Sequence, residues 1–530
     1  MPSPKLPTPE KFEDVQLLSP ELEKLLKHLP DRAGEKKSYL DTIVRNYKFR
    51  IMVCTIAFLA MVGGTVAAAL FISNDPVIGM AKHQAKYLAS LGSRYGLPIQ
   101  TLRMPFQRLY IVHAPNLIQS IQNKANAQTF IPNLLDFGML FSGLSTESQH
   151  TLRKAFGLKG NGFTMSVHKY LLSGPSLIIA TKAAVERLTA SLPNRFARSG
   201  GGGLQEMVRH ELTLALTGAV YGPENPYGDP EVEASWQDFV PGITHLLSSP
   251  FPALTARKAL NARSRIVRAF KKYFETGGHL QAFPMIPEMH EINKSHGLST
   301  EEAAKMEMAT SLAMLSSGAV TAFWLLFHIL SDKELMASIR EELEGVTEKT
   351  GIESVKTVNL SRVKDNCHTL VAALNETLRY HSTVINIKQV QHDTKLDGQY
   401  LLKKNGIIMI PGQSVHHNKN IWGLSADTFD HTRFLTHGSK KNLSSTSAFR
   451  PFGAGITMCP GRHFSMNVIL SLVVMVLLKF DVEPVDGVWK KPTKNNADMW
   501  NAMPKPDHDV DVRFEPRHGE KQIEWKFVWE

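Results

Sequence analysis

The alternation of apolar and polar positions divides the chain into three kinds of segment. The first is one unbroken apolar run: no charged residue occurs from Ile51 to Ile72. That run is long enough to cross a hydrocarbon core as a single helix, and a buried core helix fits it too. It starts too far from Met1 for an ordinary cleaved signal peptide. Before it, residues 1–50 are proline-bearing and charged, with a short amphipathic patch at Leu22–Leu29, and read as a polar mobile tail. The second kind is helical. Leu177–Leu192 has a helical pattern ended by Pro193 and the Ser199–Gly203 run, and Met308–Leu330 is the longest apolar helix after the first run. Ser361–Tyr380 repeats Leu370, Leu374 and Leu378 along one side, and Phe464–Leu478 reads as a buried helix. The third kind is short and strand-like: Ile99–Arg103 and Leu109–Val112 around a turn at Pro105, then Ile385–Gln391 and Leu401–Ile410. Pro241–Pro287 holds five prolines among aromatic and leucine residues and reads as short helices with loops. The sum is a mainly α chain with small β-sheets: a tail (1–50), an apolar span (51–72) and, after a hinge at Asp75-Pro76, one large domain (73–530).

Composition narrows this picture little. Of 530 residues, 43% are hydrophobic and 21% charged, which is ordinary for a globular protein. The net charge of +11 raises the question of nucleic acid. No Lys/Arg block with interleaved aromatics is present, so a membrane surface or an acidic protein partner fits better. Three cysteines without paired spacing argue against a disulfide framework and for a reducing compartment. Cys54 and Cys367 sit in apolar or helical surroundings and read as small hydrophobes. The glycines of Ser199–Gly203 lack the strand, lysine and acidic partners of a nucleotide loop.

Cys459 is different. It lies in Phe449–Phe464, where Phe452, Gly455, Cys459 and Gly461 read F-x-x-G-x-x-x-C-x-G. Pro460 suits a first helical position, so the sulfur would meet the positive end of the Phe464–Leu478 helix, which favours thiolate over thiol. Gly453, Gly455 and Gly461 let the backbone bend close to something flat, and Phe452 and Ile456 would exclude water. The stretch resembles the haem-binding loop of the cytochrome P450 family. The resemblance extends in order from Gly79 to Val510. It implies the cytochrome P450 fold and haem b, bound axially by Cys459 with Phe452 and Gly455 in the cradle.

Further positions carry the resemblance. Glu376 and Arg379 read E-x-x-R and can pair on one helix face. Arg433, in Phe429–Phe434, falls where the family has a third member of that set, which holds the haem loop in place. Lys388 falls where an arginine often faces a haem propionate, although an exposed sheet lysine fits equally. At Thr457 the family often has a propionate-binding arginine, and this chain does not. In Met308–Leu330, Ser316, Ser317, Gly318 and Thr321 interrupt an apolar rod. Their hydroxyls can bond back and bend the helix, and Gly318 would leave a groove. The resemblance places dioxygen and a proton-relaying hydroxyl here, with Ser317 in the usual threonine position and Thr321 one turn on. The usual preceding acid is absent. That departure is shared with the branch of sterol 7α-hydroxylases and prostacyclin synthase, which fungal secondary-metabolism oxidases resemble.

The resemblance implies a monooxygenase. It would insert one oxygen atom from O2 into a lipophilic sterol-, terpenoid- or other secondary-metabolite-like molecule, with NADPH electrons delivered by cytochrome P450 reductase. The alternative is a reductase-independent isomerase or dehydratase acting on a peroxide; a haem protein that only binds ligand is the third reading. The resemblance implies a single-pass anchor in the endoplasmic reticulum membrane and a cytosolic catalytic domain. The lysines and arginines before Ile51 outnumber those just after Ile72, and by charge alone they put the tail in the cytosol instead.

Overall fold

The computed structural model describes residues 76–530, apart from 105–106, 124–125, 127–128, 133, 157–164, 200, 249–250, 350–354, 436–447, 456–457, 498–500 and 518–522. The predicted tail, the Ile51–Ile72 run, the Pro105 turn, Ile456 and Thr457 lie outside the described residues.

Helices build the larger core. α1 (Pro175–Ser199) lies against α2 (Leu204–Tyr221), and α3 (Arg257–Glu275) packs on α4 (Thr300–Leu315). α5 (Gly318–Leu330) contacts α2, α6 (His368–His381) and α7 (Arg462–Lys479). Every residue of α5 is buried, and Val468 through Leu478 form a buried stretch of α7. The stretches Thr300–Leu330 and Arg462–Lys479 have the length and hydropathy of membrane spans, yet 78% and 72% of their apolar windows are buried inside the fold. They are core helices.

The principal sheet supports one side of the candidate site. Its strands are β1 (Ile99–Met104), β2 (Gln107–Val112), β3 (Phe130–Pro132), β4 (Ile385–Val390) and β5 (Ile407–Pro411), in the order β1-β2-β5-β4-β3. β1 and β2 are an antiparallel pair and β2 runs parallel to β5. Lys388 of β4 is opposite Ile408 on one side and Pro132 on the other. A second sheet joins Phe480–Pro484, Asp511–Pro516 and Gly202–Gly203. The glycine run therefore ends as a sheet edge.

Four sequence expectations change. α1 continues through Pro193 to Ser199, although that proline forfeits one helical hydrogen bond. The five prolines between 241 and 287 leave 253–283 clear, and α3 occupies nineteen of those residues as a regular helix. Ala259, Ala262, Ile266, Val267, Phe270 and Phe274 give α3 a continuous buried face, and burial of that stripe sustains it. The strand expected over Leu401–Ile410 is two strands, Tyr400–Leu402 and β5, because Asn405 turns the chain with φ 64°. The helix expected over Ser361–Tyr380 breaks at Cys367 (φ −105°, ψ 75°). α6 restarts there because the Glu342 carboxylate accepts from the N–H groups of Thr369 and Leu370.

Candidate active site around Cys459

The node behind the cysteine loop is built on α6. Leu370, Leu374 and Leu378 are buried as the pattern required, and Glu376 and Arg379 on another face are fully buried as well. Arg379 donates Nε to Glu376 Oε2 and Nη2 to Oε1, both at 2.7 Å. Its remaining N–H groups reach the carbonyls of His416 (2.6 Å), Ala426 (2.8 Å) and Thr428 (3.1 Å). All five guanidinium donors are therefore engaged. Burial raises the Glu376 carboxyl above the usual range, and the Arg379 fork, the Asp430 N–H and Arg433 oppose it. Arg433 Nε lies 3.5 Å from Glu376 Oε1. Its other nitrogens donate to Trp422 O (2.7 Å) and Ser425 O (2.5 Å). The three residues meet, with Arg379 as the close partner and Arg433 as a strap to the preceding loop.

His416 links this node to the cysteine loop. Its carbonyl accepts from Arg379, and its Nε2 accepts from the Arg450 N–H at 3.0 Å. Arg450 O accepts from Gly453 N (3.0 Å), and Phe452 O accepts from Cys459 N (2.9 Å). Gly453 and Gly455 take φ 76° and 66°, a region that favours glycine. A side chain at Gly455 would also come within 3.3 Å of Gln122 O. Gly461 differs from the expectation: at φ −83° it is an ordinary N-cap, and a Cβ there meets nothing within 4 Å. Helix α7 starts at Arg462, two residues later than Pro460 implied. Phe452 is half-buried against the helical core.

Cys459 is half-buried just ahead of α7. Burial pushes its thiol above the usual range, while the N–H groups of Gly461 and Arg462 and the Arg462 charge pull it down. In the protein alone burial wins, contrary to the expectation that the helix start favours thiolate. A cation held on the sulfur reverses that balance. Cys367, with its thiol pushed up to about 12, is a buried core residue.

The central rod, which packs on α7, is two helices. α4 ends at Leu315 and α5 starts at Gly318, with Ser317 at φ −121°, ψ −27° between them. Thr321 Oγ1 donates to Ser317 O at 2.8 Å, the back-bond that the mid-helix hydroxyls foretold. Ser316 and Ser317 hydroxyls stand 3.5 Å apart. Ala313 is exposed and Met314, Ser316 and Ser317 are half-buried, whereas Thr321 is 2% exposed. The accessible face of an otherwise buried rod thus runs over Ala313–Ser317. Gly318 does not open a groove: a Cβ there would lie 3.3 Å from Ser465 Oγ of α7 and 3.8 Å from Leu216. It lets the helices approach.

Lys388 is a buried strand residue, so the exposed reading fails. Its amine is held below the usual range by burial and by the charge of Arg450. Arg450, Asn386 and His416 were not singled out from sequence. The only local sign of Arg450 was its place beside Pro451-Phe452, and its contacts lie far away in the chain.

A buried guanidinium with donors unpartnered among the described residues and a loop whose glycines admit a flat group both fit a haem here. The cytochrome P450 family model matches residues 282–510. Cytochrome P450 monooxygenase nodJ of Hypoxylon pulicicidum is 30% identical over 505 residues, which is 90% of this chain and 96% of that protein. A cytochrome P450 monooxygenase of Gibberella zeae is 25% identical over 481 residues, covering 86% of this chain and 90% of that one. The 25-hydroxycholesterol 7-alpha-hydroxylase of Rattus norvegicus is 26% identical over 238 residues, or 43% of this chain and 57% of that one. With a P450 fold, a cysteine loop of the right form and a relative matched along nearly its whole length, the chain belongs to the cytochrome P450 family, as a haem-thiolate monooxygenase of the branch that includes the sterol 7α-hydroxylases and fungal oxidases.

Proposed function

We propose that Cys459 is the axial thiolate of haem b, and that the enzyme oxygenates a lipophilic small molecule with NADPH electrons from cytochrome P450 reductase. The observation that carries this reading is the Cys459 loop. It presents one sulfur ahead of α7, with the N–H groups of Gly461 and Arg462 acting on it. Thiolate-bound haem iron activates dioxygen by favouring O–O cleavage. The residues of this chain supply the rest. Phe452 covers the sulfur side, Gly455 gives the loop its close approach, and Glu376, Arg379 and Arg433 hold the loop from behind.

Ser317 is the proton-bearing hydroxyl in this proposal. Its place in the helix break and its partial exposure support it, with Ser316 beside it. Thr321 takes a supporting part: it is buried, and its hydroxyl proton is directed at Ser317 O. Lys388 adds a positive charge on the propionate side.

The substrate class proposed is sterol- or terpenoid-like, including secondary metabolites of that kind. The name of the rat relative, an oxysterol hydroxylase, supports it. Residues 1–50 are the tail, 51–72 the endoplasmic reticulum anchor, and 73–530 the cytosolic catalytic domain in this reading. Phe251 and Leu254, 70% and 82% exposed around the short helix Pro252–Thr255, offer an apolar tip for the same membrane.

The test is turnover with a reductase, with sterol and terpenoid pools as substrates. Product carrying one added oxygen atom, formed in step with NADPH oxidation, is the expected result. Product formed from a hydroperoxide without reductase or NADPH, and none with them, would overturn the proposal in favour of a peroxide isomerase or dehydratase.

A further inference from the structure

The side chain that the fold leaves most conspicuously incomplete is Arg450. It is 1% exposed, among the largest fully buried side chains of the described residues. Its Nη2 donates to Asn386 Oδ1 of β4 at 2.5 Å. Its Nε and Nη1 have no hydrogen-bond partner among the described residues. Among the described residues it takes part in no ion pair, and burial alone acts on its charge, lowering it to about 10, so it remains cationic near neutral pH.

That is a costly arrangement. A buried guanidinium is tolerated when a carboxylate or a full set of acceptors faces it, as Arg379 demonstrates in the same molecule. Around Arg450 the nearby charge is of the wrong sign. Lys388 is on the same strand as Asn386, is 3% exposed, and is depressed by the Arg450 charge. His416, which accepts from the Arg450 backbone, is held neutral, its imidazole pushed well below the usual range by burial and by neighbouring cations. Two buried cations act on one another here, and the guanidinium keeps donors that are unpartnered among the described residues. The missing member is an anion with planar acceptors.

Position identifies that anion. Arg450 is pinned at the foot of the loop that ends in Cys459, through its own N–H to His416 and its carbonyl to Gly453. A haem held by Cys459 brings two carboxylates of its own. We propose that Arg450 donates an open N–H to a haem propionate, that Asn386 orients the guanidinium for this by accepting from Nη2, and that Lys388 adds charge to the same carboxylate. A carboxylate supplies the negative charge and the acceptor that a buried guanidinium N–H lacks here. Arg450 is thus a cofactor-binding residue whose partner lies outside the polypeptide. The inference rests on the haem reading above but not on the reaction proposed for it.

The experiment uses the full-length holoenzyme and needs no turnover. Arg450→Gln and Arg450→Lys are compared with wild type by haem transfer to excess apomyoglobin and by the propionate-bending bands of the resonance Raman spectrum. Arg450→Gln is expected to speed haem transfer by about tenfold or more, as loss of a charge-assisted contact does, and to shift the propionate bands. Arg450→Lys keeps the charge and is expected to restore most of the retention, with bands displaced from wild type because an ammonium replaces the planar donor. Transfer within about twofold of wild type in Arg450→Gln would overturn the proposal. So would faster transfer with propionate bands unchanged, since the residue would then act only on the fold. If Arg450→Gln does not fold, Arg450→Lys alone decides: unmoved propionate bands there refute the contact. Failure here leaves the thiolate and the oxygenation untouched, because those are read by the carbon monoxide spectrum and by product.

Discussion

Two arginines, both fully buried and both within reach of His416, have opposite surroundings. Arg379 spends every donor inside the protein, on Glu376 and three carbonyls. Arg450 spends one on Asn386 and leaves Nε and Nη1 open. The first is a closed set, and its product is shape: it ties α6 to the segments at His416, Ala426 and Thr428, and so braces the cysteine loop. The second is an open set, and its product is a binding position. Burial and charge are the same in the two places. What separates structure from ligand recognition is whether the donors are used up.

The comparison is sharpened most by removing the closed set. Glu376→Ala leaves Arg379 buried without its carboxylate and is expected to cost about 3–5 kcal/mol, enough to abolish recoverable haem-loaded protein. Haem content after purification and the denaturant midpoint check this. Arg450→Gln, in contrast, is expected to lose haem while keeping the fold of the rest. If the two substitutions gave the same loss of stability, the distinction between closed and open sets would be wrong.

Ser317→Ala comes next. It is expected to raise NADPH consumed per product severalfold with little change in stability, measured by parallel NADPH and product assays. Thr321→Val removes a back-bond and is expected to cost about 1 kcal/mol in stability while coupling stays near wild type. The reverse pattern would move the proton-relay role to Thr321.

An effect confined to alkaline pH concerns Glu307, a third kind of buried charge. Its carboxyl is fully buried, accepts from Tyr221 Oη at 2.9 Å, and is pushed up to about 7 by burial. Its folded-state value lies above the unfolded one. Stability is therefore complete below the unfolded value and falls as pH rises towards about 7, where ionisation in the fold sets in. Glu307→Gln keeps the acceptor for Tyr221 and is expected to stabilise by about 1–3 kcal/mol at about pH 8 and very little at about pH 5. Denaturant melts at the two pH values test it.

How far the sequence went depended on how local the determining contacts are. Cys459, Phe452 and Gly455 belong to one contiguous segment, and Glu376 and Arg379 are three apart on one helix, so the family resemblance could reach them through short motifs. Thr321 and Ser317 were legible for the same reason: a hydroxyl one turn along bonds back to its own helix. Arg450 was not, because its meaning comes from Asn386 and His416, which the fold brings in from other elements. Gly318 was misread because a missing side chain beside Ser317 can mean an open groove or a close helix contact. Only the position of Ser465 decides. α3 shows tertiary burial overriding local signals: one clean apolar stripe outweighs flanking prolines. Gly461 needed no special conformation, and nothing in its neighbours announced that.

The claim beneath the whole account is that the sulfur of Cys459 holds the haem iron. The direct measurement is the absorption spectrum of the reduced, carbon monoxide-bound protein, for wild type and for Cys459→Ser. The account predicts the long-wavelength Soret band of a thiolate-ligated haem in the first and its loss in the second. A wild-type spectrum without that band, or a Cys459→Ser spectrum that keeps it, would contradict the account.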